Sequence, residues 1–197
     1  MTGDLGSLDE DGYIRISGRK KDLIIRSGHN IEPRVIEEAL LHSPAVALAA
    51  AVGKPDAHAG ELPVVYVQLE PEARVTSEKL LEFAQANVPE QAAVPKEVHV
   101  LEAIPLTVIG KADKTQLRQD AALRVFRPLL QDALGESVLE GLKFVDDPQK
   151  GQTLCCHLRV PKGRQGECNL QVQDMMKPYT TPYLIRWIDE DSSVSQS

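Results

Sequence analysis

Two short apolar runs, Val46–Val52 and Val64–Leu69, limit what this chain can fold into more than any other stretch. The first, built from Val, Ala and Leu, is too short for an ordinary helix, and the second is rich in β-branched residues. Both read as strands of one sheet, paired through the loop Gly53-Lys54-Pro55-Asp56-Ala57-His58-Ala59-Gly60. The flanking segments carry helical stripes. Val35, Ile36, Ala39 and Leu40 lie along one face of a helix that starts at Pro33 and stops at Ser43-Pro44. Leu80, Leu81, Ala84 and Val88 form a second stripe, capped by Thr76 or Ser77 and ended by Pro89. With only three Phe, four Tyr and one Trp in 197 residues, the core is made mainly of Ala, Val, Leu and Ile.

Around this centre the chain is punctuated into further short elements. Residues 4 to 17 read as a hairpin with a turn at Asp9-Glu10-Asp11-Gly12 and period-two alternation in Tyr13-Ile14-Arg15-Ile16. Ser17-Gly18-Arg19-Lys20-Lys21-Asp22 is a polar crossing suited to a hinge, before Leu23-Ile24-Ile25 resumes a strand. Val98–Leu101 is another strand, and Pro105 to Lys114 is a loop entering a helix that Asp113 caps and that runs through Leu117 and Ala121. Past residue 120 the pattern starts afresh. Ala121–Leu134 reads as helical, with Pro128 expected to kink or restart it and Gly135 to end it. Strands over Val138–Val145 and Leu154–Val160, a helix over Glu167–Met176 and a last strand over Tyr183–Ile188 give a second small α+β unit. The acidic, Ser-rich tail from Asp189 is expected to fray.

Charge and cysteine usage exclude several classes. Twenty-two Lys and Arg against 29 Asp and Glu give a net charge of -7, which repels a nucleic-acid backbone. No run approaches 18 uninterrupted apolar residues, and Met1-Thr2-Gly3-Asp4-Leu5 has no export-signal character, so neither a membrane span nor a leader is expected. Cysteines at 155, 156 and 168 cannot all pair, which suits a reducing cytoplasm. Cys155, Cys156 and His157 invite a metal reading, but neighbours on a strand point to opposite faces and cannot converge on one ion, so they are read as buried strand residues and no metal site is expected. Met175-Met176 read as core of the second unit, and His58 as part of a surface turn.

Three stretches carry chemistry: Thr2-Gly3-Asp4; then Gly18-Arg19-Lys20-Lys21-Asp22 with Gly28-His29-Asn30-Ile31-Glu32-Pro33; then Pro105-Leu106-Thr107 with Gly110-Lys111. A Walker phosphate loop fails here, because Pro105 stands where its first Gly belongs and Ala112 where its Ser or Thr belongs. In their order and spacing the three stretches resemble the closing motifs of the adenylate-forming superfamily, most closely acyl-CoA synthetases, over residues 2 to about 118. The resemblance implies an α+β fold, a small mixed sheet flanked by helices, followed here by the second small α+β unit. It implies a division into an interdomain segment and hairpin (1–18), the C-terminal domain (19–118), the extension (119–190) and the tail (191–197).

The resemblance also implies roles. Asp4 matches the carboxylate that accepts both ribose hydroxyls of the nucleotide, and Arg19 the guanidinium near ribose and phosphates. Lys111 matches the catalytic lysine of acyl-adenylate formation, with Gly110 letting the backbone approach. Lys21 matches the hinge about which this domain swings between adenylation and thioester formation. Ser27, Gly28 and His29 match the lining of the channel for coenzyme A, while Asn30 stands where some relatives carry an arginine. Lys114 and Arg118 read as solvated positions on the following helix.

The implied substrates are ATP with Mg²⁺, an acyl carboxylate and coenzyme A, none held tightly by this chain alone. The implied partner is a large N-terminal adenylation domain, in cis or in trans, since no phosphate loop or adenine motif of that domain is found in the 197 residues. The primary expectation is therefore a component of an acid-CoA ligase that is inactive alone. The alternatives are a free-standing binding or regulatory module, or an oligomerisation domain in which the extension pairs copies of the chain.

Overall fold

The computed structural model describes residues 4–8 and 13–188, so the expected fraying of the tail lies outside the described residues. Two compact units divide the chain, Met1–Ala121 and Ala122–Ser197. Unit 1 opens with an antiparallel hairpin of β1 (Asp4–Leu8) and β2 (Ile14–Arg19). A single 3₁₀ turn over Lys20–Asp22 leads to β3 (Ile24–Arg26) and β4 (His29–Ile31), then to α1 (Pro33–Leu41).

The two apolar runs become β5 (Val46–Asp56) and β6 (Gly60–Leu69), antiparallel in register from Val46↔Leu69 to Asp56↔Gly60. The connection expected over residues 53–60 is thus shorter than its Gly and Pro content suggested. Pro55 is tolerated because β5 is an edge strand, where a missing N–H breaks no inner ladder. The reversal is confined to Ala57-His58-Ala59, held by the Asp56 carboxylate, which accepts the N–H groups of His58 at 3.0 Å and Ala59 at 2.7 Å. Those two bonds hold the Asp56 carboxyl below its usual value.

After β6, α2 (Ser77–Asn87) begins at Thr76, whose hydroxyl accepts the Lys79 N–H, and β7 (Glu97–Leu101) returns parallel to β6. The sheet runs β4-β3-β6-β5, with β7 also on β6. Both faces of the β5–β6 pair are buried, as near-continuous apolar strands require. On one face Ala49, Ala51, Val65 and Val67 pack with Ile36 and Leu40 of α1 and Leu80 and Ala84 of α2. On the other, Ala50, Val52, Val64 and Tyr66 pack with Ile104, Leu117 and Ala121.

The last two residues belong to α3 (Lys114–Leu134), one continuous helix where a fresh start past residue 120 and a break at Pro128 were expected. Pro128 is exposed, so the carbonyl it deprives of a partner can turn to water. Gly135, at φ +90, ends the helix, its N–H donating to Gln131.

Unit 2 continues with β8 (Leu139–Asp147), β9 (Gly151–Arg159), α4 (Gln165–Met176) and β10 (Tyr183–Ile188). The order is β10-β9-β8, with β8 antiparallel and β10 parallel to β9. Leu154, Cys156 and Leu158 of β9 pack with Phe126 and Leu130 of α3 and with Cys168, Val172 and Met176 of α4. Cys155 and Cys156 are both fully buried, and burial, with Cys155 next to it, pushes the Cys156 thiol up to about 12, so it is protonated at neutral pH.

Candidate functional site

The sequence-derived site residues sit on the rim of unit 1, in turns and strand ends. At the hairpin, register pairs Asp4 of β1 with Arg19 of β2, so two residues separated by fourteen others emerge from one end of a two-stranded ribbon. The chain then enters the 3₁₀ turn on which Lys21 is exposed.

Ser27 and Gly28 are the two-residue loop of the β3–β4 hairpin, at φ +49 and +84, the conformation that a tight reversal between right-twisted strands demands. A side chain at Gly28 would meet nothing within 4 Å, so glycine is needed there for its backbone conformation. His29 follows, exposed. The Ser27 N–H donates to Ala59 at 2.7 Å, which sets this loop beside the His58 turn.

Lys111 closes a separate reversal. Gly110 at φ +75 donates to the Thr107 carbonyl at 2.9 Å, the Thr107 N–H donates to the Lys111 carbonyl at 2.7 Å, and the Lys111 N–H donates to the Thr107 hydroxyl at 3.2 Å. Asp113 fixes the exit, accepting the N–H groups of Thr115 at 3.0 Å and Gln116 at 3.2 Å, which is the capping read from the sequence. The Lys111 side chain is exposed, and so are Val108 and Ile109 at the tip. A lysine on a stiff, protruding turn can carry its charge into a cleft belonging to something else.

Lys114 and Arg118 are not the solvated cations expected. One helical turn apart, they point into the unit: Lys114 pairs with Glu37 of α1 at 2.7 Å and Arg118 with Asp22 of the 3₁₀ turn. Glu37 also accepts the Ala51 N–H at 2.8 Å, and Asp120 accepts the Tyr66 hydroxyl at 2.6 Å. The start of α3, and with it the Lys111 turn, is therefore pinned to α1, to the sheet and to the segment that carries Lys21. Two cations at i, i+4 just after Gly110-Lys111 were the available signal; exposure was assumed because their acidic partners lie 77 and 96 residues earlier.

Glu61, near the same cluster, is mostly buried and accepts the Ile25 N–H at 2.8 Å. Burial raises its pKa above the ordinary value, against that hydrogen bond and the charge of Arg118. Among the described residues, no three His, Cys, Asp or Glu side chains gather as metal ligands.

A small mixed sheet flanked by helices is the C-terminal domain fold of adenylate-forming enzymes. Residues 35–111 of the chain match the AMP-binding enzyme C-terminal domain.

Its relatives include the marinolic acid–CoA ligase of a Pseudoalteromonas species, 41% identical over 172 residues, which cover 87% of this chain and 26% of the ligase. The medium-chain fatty-acid–CoA ligase of Escherichia coli is 38% identical over 136 residues, 68% of this chain and 23% of that enzyme. Among solved structures, ATP-bound MatB from Rhodopseudomonas palustris superposes with a TM-score of 0.55 at 34% identity, over 60% of this chain and 23% of MatB. The chain spans about a quarter of the length of the curated relatives it matches. Unit 1 ends at residue 121, so a match covering 87% of the chain necessarily extends into unit 2.

Proposed function

We propose that this chain supplies the mobile C-terminal domain of an acyl-CoA ligase, with Lys111 as the catalytic lysine of acyl-adenylate formation. The observation that carries the proposal is the Lys111 turn itself: exposed, closed by its own hydrogen bonds and clamped through Arg118 to the segment containing Lys21. A rotation about Lys21 then moves lysine, turn and sheet as one body, toward the large domain for adenylation and away from it afterwards.

In adenylation the acid's carboxylate oxygen attacks the α-phosphorus of ATP and pyrophosphate leaves. Negative charge on the oxygens around that phosphorus is met by the Lys111 ammonium, a compact positive charge on a flexible stem. Asp4 accepts from the ribose hydroxyls, and Arg19, opposite it in the hairpin register, donates to the same nucleotide. After rotation the Ser27-Gly28-His29 loop lines the path of the coenzyme A thiol, which attacks the acyl carbonyl and releases AMP.

The test adds the large domain of a ligase such as the marinolic acid enzyme in trans and measures acyl-CoA formation from ATP, coenzyme A and a series of acids. Activity that depends on this chain and is lost in Lys111→Ala is expected. A folded, bound pair that makes neither adenylate nor thioester would sink the proposal and favour a binding module.

A further inference from the structure

The extension contains a second cluster, unrelated to the turns of unit 1. Residues of β9 alternate between two sides of its sheet. Leu154, Cys156 and Leu158 join the core with α3 and α4, so Thr153, Cys155 and His157 point to the other side. On that side the register places His157 opposite Arg186 of β10 and Gly141 of β8, with Lys143 of β8 one diagonal step away.

Because Gly141 has no side chain and open space where one would stand, a cavity of about 320 Å³ remains, lined by Glu140, Gly141, Leu142, Lys143, His157 and Ile188. The His157 Nε2 atom is buried and has no hydrogen-bond partner. Among the described residues neither Lys143 nor Arg186 has a carboxylate partner, and the one acid at the rim, Glu140, is engaged by Arg159 at 2.5 Å.

We propose that this pocket is an anion site for a phosphate dianion, free or as a monoester, held by Lys143, His157 and Arg186 from three adjacent strands. A phosphate dianion matches two fixed cations in charge, and its tetrahedral oxygens can accept from an ammonium, an imidazole N–H and a guanidinium arriving from different directions. The unsatisfied Nε2 then gains the partner that burial otherwise denies it. Desolvation, Lys143 and Arg186 all lower the pKa of the empty-site His157, so two like charges already face it before any anion enters. This site does not depend on the ligase reading.

The experiment titrates inorganic phosphate into the full 197-residue chain and follows the His157 ring signals by NMR. A saturable shift is expected, weakened about tenfold in Lys143→Gln and in Arg186→Gln, as for loss of one charge-assisted bond, and unchanged in Lys150→Gln on the β8–β9 turn. With phosphate bound, the midpoint of His157 moves up, because the dianion offsets Lys143 and Arg186; among the described residues the one carboxylate in the lining, Glu140, pairs with Arg159. Coenzyme A and dephospho-coenzyme A separate two sources of the same group. Tighter binding of coenzyme A marks its terminal phosphate as the ligand, and equal weak binding of both beside firm inorganic phosphate marks the free ion. No saturable shift, or equal affinity in wild type and both variants, overturns the proposal.

Discussion

In unit 1 the central strands are covered on both faces, by α1 and α2 on one and by the start of α3 on the other, whereas in unit 2 the apolar faces of α3 and α4 pack on the same side of the sheet. A sheet enclosed on both faces has no open surface to offer a ligand, so the candidate chemistry of unit 1 moves to its rim: a hairpin end, a two-residue loop and a stiff protruding turn. Unit 2 keeps Lys143, His157 and Arg186 on the side its helices leave, and there the candidate site is the sheet itself. The same ingredients give rim chemistry or face chemistry according to which sides the helices take.

The largest effect should come from Lys111→Ala. With the large domain present, adenylate formation should fall at least about 10²-fold, as for loss of one preorganised charge at a reacting centre. Thioester formation from preformed adenylate should be nearly unchanged, as should both half-reactions in Lys150→Ala. Equal loss in both half-reactions would assign Lys111 to binding instead and weaken the contrast.

The independence of the two cores is tested by Leu154→Ala, which removes a fully buried side chain and should cost unit 2 about 3 kcal/mol. Hydrogen exchange should then accelerate in β8 and β9 while β5 and β6 keep their protection; equal loss in both sheets would make them one cooperative block.

Smaller is the effect of Arg118→Gln, expected to slow adenylation about tenfold by loosening the Lys111 turn. The charge swap Asp22→Arg with Arg118→Asp should recover part of that rate, whereas a purely local packing role predicts no recovery.

The smallest effect concerns pH and Glu61. Its pKa is raised in the fold, so below the ordinary glutamate value of 4.5 the folded and unfolded chains both hold the proton. As pH rises from 4.5 to the folded value, the unfolded chain releases its proton first and unit 1 loses stability; above that value the loss is complete. Glu61→Gln, which keeps an acceptor for the Ile25 N–H, should flatten this slope in thermal melts across pH 4 to 8. An unchanged slope would show that another group controls it.

Much of this architecture was legible because local and global signals agree. Pro33 and Thr76 start helices, Asp113 caps one, and the period-two runs became strands. What misled was punctuation read without its context. Pro55 looked like a loop residue because sequence does not say which strand lies at an edge, and Pro128 looked like a break because it does not say which side of a helix faces water. Long-range pairs were hidden for a related reason: nothing local to Lys114 or Arg118 reveals Glu37 or Asp22. Of the two candidate sites, the turns were readable as contiguous motifs. The His157 cluster was not, since its three polar members come from three strands and meet only through register.

The helix α3 places consecutive residues, Ala121 and Ala122, in different cores. For anyone dividing the chain to express a part of it, the family match ending at Lys111 is therefore a misleading place to cut. A piece stopped there loses Leu117 and Ala121 from beneath Tyr66 and strands the carboxylates of Asp22 and Glu37. A cut later in the helix instead strips Phe126 and Leu130 from the extension. Any shortening or fusion made within residues 114–134 damages one unit to spare the other.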